Sequence, residues 1–156
     1  MVQFIARLTG NDFSKLGVSV ELSNGTVCEA RYTGDSIFRL KWRIDIEFEL
    51  ACENTKVDFK VISKNLFRTI YAAFDGKKEV LRLVSCIFSD YIIVNGKKER
   101  MAGVISTRVE NLGFFGESHP FLIGSNYKGE FEDDHILHGT IVATYCVLKM
   151  SFTDSL

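Results

Sequence analysis

The run Phe38–Cys52, FRLKWRIDIEFELAC, sets the tightest limit on what this chain can become. Phe38, Leu40, Trp42, Ile44, Ile46, Phe48, Leu50 and Cys52 are apolar, and every residue between them except Ala51 is charged. Successive side chains of a strand point to opposite sides, so alternation with period two marks a strand with one buried face. A helix would scatter the same apolar residues around its circumference. The run predicts a long β-strand and, with it, a β-rich domain. At roughly 3.3 Å per residue it spans about 50 Å, more than the roughly 40 Å breadth of a compact chain of this length. Such a strand must bend through a bulge and serve two sheets, or project toward a partner.

The charged face of this run is polarised, with Arg39, Lys41 and Arg43 first and Asp45, Glu47 and Glu49 after them. An antiparallel second copy centred on Ile44 sets Arg39 by Glu49, Lys41 by Glu47 and Arg43 by Asp45. Opposite charges directly across a ladder contribute roughly 0.2–1 kcal/mol each. These six residues are the first candidate interface between subunits. The competing reading is a solvated face whose charges discourage edge-to-edge aggregation.

The flanking segments supply further strands. Val2–Thr9 reads as a strand ended by Gly10-Asn11-Asp12. Val18–Leu22 and Thr26–Thr33 flank Ser23-Asn24-Gly25, a hairpin signal because Asn and Gly tolerate positive φ. Gly34-Asp35 then turns the chain into the long strand, so residues 26–52 form a long hairpin. Lys56–Ile62 alternates again, after Glu53-Asn54-Thr55. At Ser63 the pattern changes: Leu66, Phe67, Ile70, Tyr71 and Phe74 recur at helical spacing and Asp75-Gly76 supplies a stop, predicting one helix over about 64–74. Glu79–Phe88 and Tyr91–Val94 read as strands, and Asn95-Gly96 as a hairpin turn into a strand Lys97–Glu110. Residues 111–139 are glycine-broken and irregular, a segment length that usually signals function or flexibility. Phe114, Phe115 and Phe121 give that segment apolar weight, to be tucked under the domain or docked on a neighbouring subunit. Thr140–Phe152 closes the chain as a strand buried on both sides.

The 156 residues fit one domain, 1–156, able to bury a core. A net charge of −1 argues against general nucleic-acid binding, which draws on a basic surplus. No apolar run is long enough to span a bilayer. Cys28, Cys52, Cys86 and Cys146 form no CxxC pair, and Met1–Leu8 does not read as a secretory signal. Four reduced thiols and a cytoplasmic setting follow as the expectation, or a virion if the protein is viral.

His119, His135 and His138 all fall in the irregular segment among carboxylates. His135 and His138 with one carboxylate could ligate a metal, but no second ligand pair stands at diagnostic spacing, and a solvated acidic loop explains them as well. Ser118-His119 lacks the strand–turn–helix setting of a nucleophile elbow, and an apolar strand around Cys146 would disfavour its thiolate. No dinucleotide fingerprint or phosphate-cradling loop is present, and no cofactor is expected.

The predicted fold is mainly β, an antiparallel β-sandwich or distorted barrel with one short α-helix inserted mid-chain. The order of early strands, long hairpin, single middle helix and later hairpins resembles that of the tube-forming proteins of phage tails and related injection machines. That resemblance implies a self-associating structural subunit. The expected function is therefore a non-enzymatic assembly or protein-interaction subunit whose partner is itself or another protein. A small-ligand-binding β-barrel is the alternative, and a metal-dependent enzyme using His135 and His138 is the third reading.

Overall fold

The computed structural model of the chain describes residues 2–9, 16–34, 45–86, 90–94, 97–100, 110–111, 126–131 and 136–154. Its strands are β1 (Val2–Thr9), β2 (Gly17–Leu22), β3 (Val27–Tyr32), β4 (Phe48–Cys52), β5 (Thr55–Lys64), β6 (Arg68–Asp75), β7 (Lys78–Cys86), β8 (Asp90–Val94), β9 (Lys97–Arg100), β10 (Glu110–Asn111) and β11 (Asn126–Phe131). Among the described residues one helix, α1 (Ile136–Asp154), follows. All eleven strands belong to one antiparallel sheet, in the order β10-β11-β1-β2-β3-β4-β5-β6-β7-β8-β9. The chain thus meanders from β1 to β9, then returns to lay β11 along the free edge of β1. The sheet is not closed into a barrel.

The expected class, mainly β and antiparallel with a single helix, is the one observed. The sheet is single and open rather than sandwiched. The described helix is not the one expected mid-chain. Residues 64–74 instead run through the end of β5, a tight turn and most of β6. Asp75 pairs with Lys78 across a second tight turn, where Gly76 takes φ 64°. Thr140–Phe152, expected as the final strand, lies inside α1. The segment 111–139, expected to be irregular, supplies β11 and the start of α1. Of the long strand 38–52, residues 48–52 form β4, Asp45–Glu47 carry no strand pairing, and 38–44 lie outside the described residues. β3 and β4 nevertheless pair from Cys28–Cys52 to Tyr32–Phe48, as a hairpin over 26–52 requires.

Alternation explains the sheet. Val2, Phe4 and Ala6 of β1 are buried while Gln3, Ile5 and Arg7 are exposed. Val18, Val20 and Leu22, then Cys28, Ala30 and Tyr32, then Phe48 and Leu50, then Val57 and Phe59 continue the same inner face. Where β2 and β3 meet, the backbone comes very close: a Cβ on Gly17 would lie 2.7 Å from the Ala30 carbonyl oxygen and 2.8 Å from Thr9 Oγ1. Gly25, with φ 91°, makes the β2–β3 turn, as the Asn-Gly signal predicts.

α1 occupies the inner face. It is apolar on every side, with Ile141, Val142, Ala143, Tyr145, Val147 and Leu148 all at 2% exposure or less, which is how a helix surrounded by protein reads. It packs against β1, β2 and β11. Its Tyr145 reaches the rings of β5 and β6, 5.9 Å from Phe59 and 5.5 Å from Tyr71 between centroids. Phe59 in turn stacks on Phe48 at 4.7 Å and on Tyr71 at 5.0 Å. Complete burial of one such ring contributes about 2–3 kcal/mol. Two polar residues of α1 are fully buried, and each is satisfied along the helix. Thr140 Oγ1 donates to the Ile136 carbonyl and Thr144 Oγ1 to the Thr140 carbonyl, both at 2.8 Å.

The cysteine expectation also needs correcting. Cys28 and Cys52 face each other across β3 and β4 with Cα atoms 4.4 Å apart and form a disulfide, while Cys86 and Cys146 stand outside it and are half-buried. Each of the pair sits in its own alternating strand. Their meeting depends on the register between those strands, which sequence spacing does not fix.

Candidate functional site

The acidic half of the polarised run is engaged inside its own chain. Glu49 lies opposite Arg31 in the β3–β4 ladder, and Arg31 Nη2 donates to Glu49 Oε2 at 2.8 Å. Asp45 Oδ1 meets Lys64 Nζ at 2.7 Å, and the Asp45 carbonyl accepts the Tyr32 hydroxyl at 3.2 Å. Glu47 Oε2 accepts the Val61 backbone N–H at 3.0 Å, satisfying a donor where β5 and β6 shift register between Val61 and Ser63. The cross-strand complementarity foreseen between two copies is therefore met, for these three carboxylates, by Arg31, Lys64 and a backbone amide. Arg39, Lys41 and Arg43 lie outside the described residues, as do Phe114, Phe115 and Phe121.

On the outer face, a shallow groove of about 340 Å³ runs beside Gly17, Glu29, Arg31, Glu49 and Lys56. Within it Arg31 pairs with Glu49, and Ser19 Oγ donates to Glu29 Oε1 at 3.2 Å.

Few of the expected metal and nucleophile residues are among the described ones. His138 stands half-buried in the first turn of α1, while His135, His119 and Ser118 lie outside the described residues. Among the described residues, no group of three or more His, Cys, Asp or Glu side chains is placed to hold a metal ion. Among the buried titratable groups is Tyr71. Burial, and secondly the adjacent Tyr145, hold its phenol well above the ordinary value of 10.0, and its hydroxyl oxygen accepts the Ile46 N–H at 3.3 Å. It serves the core as a neutral phenol.

Sequence reasoning missed the β5–β6 hairpin end. Beyond Val61 both faces of β5 are exposed, as are the turn residues Asn65, Leu66 and Phe67 and the first residue of β6, Arg68. The Asn65 side-chain oxygen accepts the N–H groups of Phe67 and Arg68, each at 2.9 Å, and Asn65 N–H donates to the Arg68 carbonyl at 2.9 Å. This side-chain-stapled turn presents Leu66 at 70% and Phe67 at 65% exposure, with Ile62 at 41% behind them. The available signal was Asn65, whose side chain favours turns over helix interiors.

No protein family, curated protein or solved structure matches this chain.

Proposed function

We propose that this protein is a non-enzymatic assembly or interaction subunit that acts through its outer surface. The observation that supports this reading is the filled inner face. α1 lies where a ligand-carrying barrel keeps its cavity, and Tyr145 closes onto Phe59 and Tyr71. A domain packed in this way meets its partners from outside. The ligand-barrel alternative has no such support, because the sheet is open and its concave side is occupied by protein.

A second copy of the chain is the first partner to test, with Arg39, Lys41 and Arg43 on one subunit facing the acidic run of the other. Asp45 and Glu49 already hold intrachain partners, so self-pairing must exchange those contacts rather than add to them. The pairing of β3 with β4 agrees with the long hairpin of the tail-tube resemblance, whereas residues 64–74 do not form its middle helix. The Cys28–Cys52 disulfide suits a virion or other oxidising setting better than a reducing cytoplasm.

Light scattering over a range of concentration, at low and high salt, tests the proposal. A particle heavier than one chain is expected, weakened by salt and by Arg43→Glu, with Asp45→Arg in the same chain restoring part of the loss. A strict monomer under every condition would refute self-assembly.

A further inference from the structure

The β5–β6 hairpin end is built to touch something the described chain does not provide. Three of its side chains, Ile62, Leu66 and Phe67, are among the large hydrophobics that remain exposed. Its turn is held by three hydrogen bonds to Asn65, so the apolar tip is presented in a fixed shape and loses little conformational freedom on binding. Residues 59–74 contain Lys60, Lys64 and Arg68 and no carboxylate, and of the carboxylates packed beside them Glu47 accepts the Val61 N–H. Asp45 offsets Lys64, whereas Lys60 and Arg68 pair with no carboxylate among the described residues.

Size and charge together select the partner. The exposed apolar surface at the tip is on the order of 350 Å², below the roughly 450 Å² of apolar area within the 800 Å² or so per partner that a stable protein interface buries. A lipid surface needs neither that area nor a matching pocket. It accepts Leu and Phe side chains at the boundary between headgroups and acyl chains while flanking cations meet lipid phosphates. No helix among the described residues is long and apolar enough to cross a membrane. We propose that the β5–β6 hairpin end docks on an anionic phospholipid surface, with Leu66 and Phe67 inserted and Lys60 and Arg68 on the headgroups. This proposal stands apart from self-assembly and survives or fails independently of it.

The test is co-sedimentation of the full chain with phosphatidylcholine vesicles, with and without phosphatidylglycerol. Binding is expected to the anionic vesicles, falling as salt is raised. The double variant Leu66→Ser/Phe67→Ser should weaken it by about tenfold or more, the least expected when two large apolar side chains are withdrawn. Arg68→Glu should also weaken it. The double variant falls on exposed turn positions and Arg68→Glu on the exposed first residue of β6, and an unchanged thermal midpoint would show that the fold is intact. Absence of binding to anionic vesicles, or equal binding by the double variant, would overturn the proposal. So would a change in solution mass of the double variant without lipid, which would make the tip a protein contact.

Discussion

Tyr145→Ala removes the side chain that joins α1 to the far side of the sheet. The ring is 2% exposed, meets Tyr71 edge-on at 5.5 Å and 62°, and lies tilted over Phe59 at 5.9 Å and 52°. Truncating a large buried aromatic costs about 3–5 kcal/mol, combining lost transfer energy with the cavity left behind. With two aromatic neighbours and a fully enclosed site, we expect about 4 kcal/mol. A domain of ordinary stability holds about 5–15 kcal/mol in total, so the variant stays folded only if the parent is not at the low end. At an m-value of about 2 kcal/mol/M in urea, the unfolding midpoint falls by about 2 M. Far-UV circular dichroism in a urea titration reads this directly. Combining Tyr145→Ala with Tyr71→Ala should show a coupling of about 1 kcal/mol between the two rings. A loss below about 1 kcal/mol for the single variant, or strict additivity in the pair, would refute the claim that α1 is anchored by these contacts.

Three further outcomes follow from the same coordinates. Tyr71 has a folded pKa raised above its unfolded value, so the unfolded chain releases this proton first; stability is level below about pH 10 and falls above it by at most about 1.4 kcal/mol per pH unit. Alkaline titration of unfolding should show that decline, and Tyr71→Phe should flatten it. Replacing Cys28 and Cys52 by Ser, a pair separated by 24 residues, should cost about 3 kcal/mol by releasing the closed loop, with thiol titration of the unfolded parent giving two reactive groups before reduction and four after it. Gly17→Ala drives a methyl against the Ala30 carbonyl and should cost about 1–3 kcal/mol in thermal or urea unfolding.

What could be read in the sequence was period two. Val2–Thr9, the strands around Asn24-Gly25, Lys56–Ile62 and Tyr91–Val94 all appear where alternation and turn residues put them. Failure came where an apolar run fits two periods. Leu66, Phe67, Ile70, Tyr71 and Phe74 satisfy a helical spacing, but the first two sit on a turn and the others share β6. Hairpin pairing with β5 and β7 decided the matter, and pairing is a non-local term. Thr140–Phe152 is rich in β-branched residues and apolar on all sides, which describes a central strand and an enclosed helix equally well. Length was the neglected arbiter. Nineteen helical residues are ordinary, whereas strands commonly run about five or six. The hairpin end was hidden for a related reason: assigned to a helix, Leu66 and Phe67 looked like core, and only the hairpin register shows them exposed.

The most direct test of the account is a proton NMR measurement of ring-to-ring Overhauser effects from Tyr145. The filled inner face predicts cross-peaks from Tyr145 to both Phe59 and Tyr71, together with helical chemical shifts through 140–148. Their absence, or strand-like shifts in that segment, would contradict it and reopen the concave side of the sheet to a ligand.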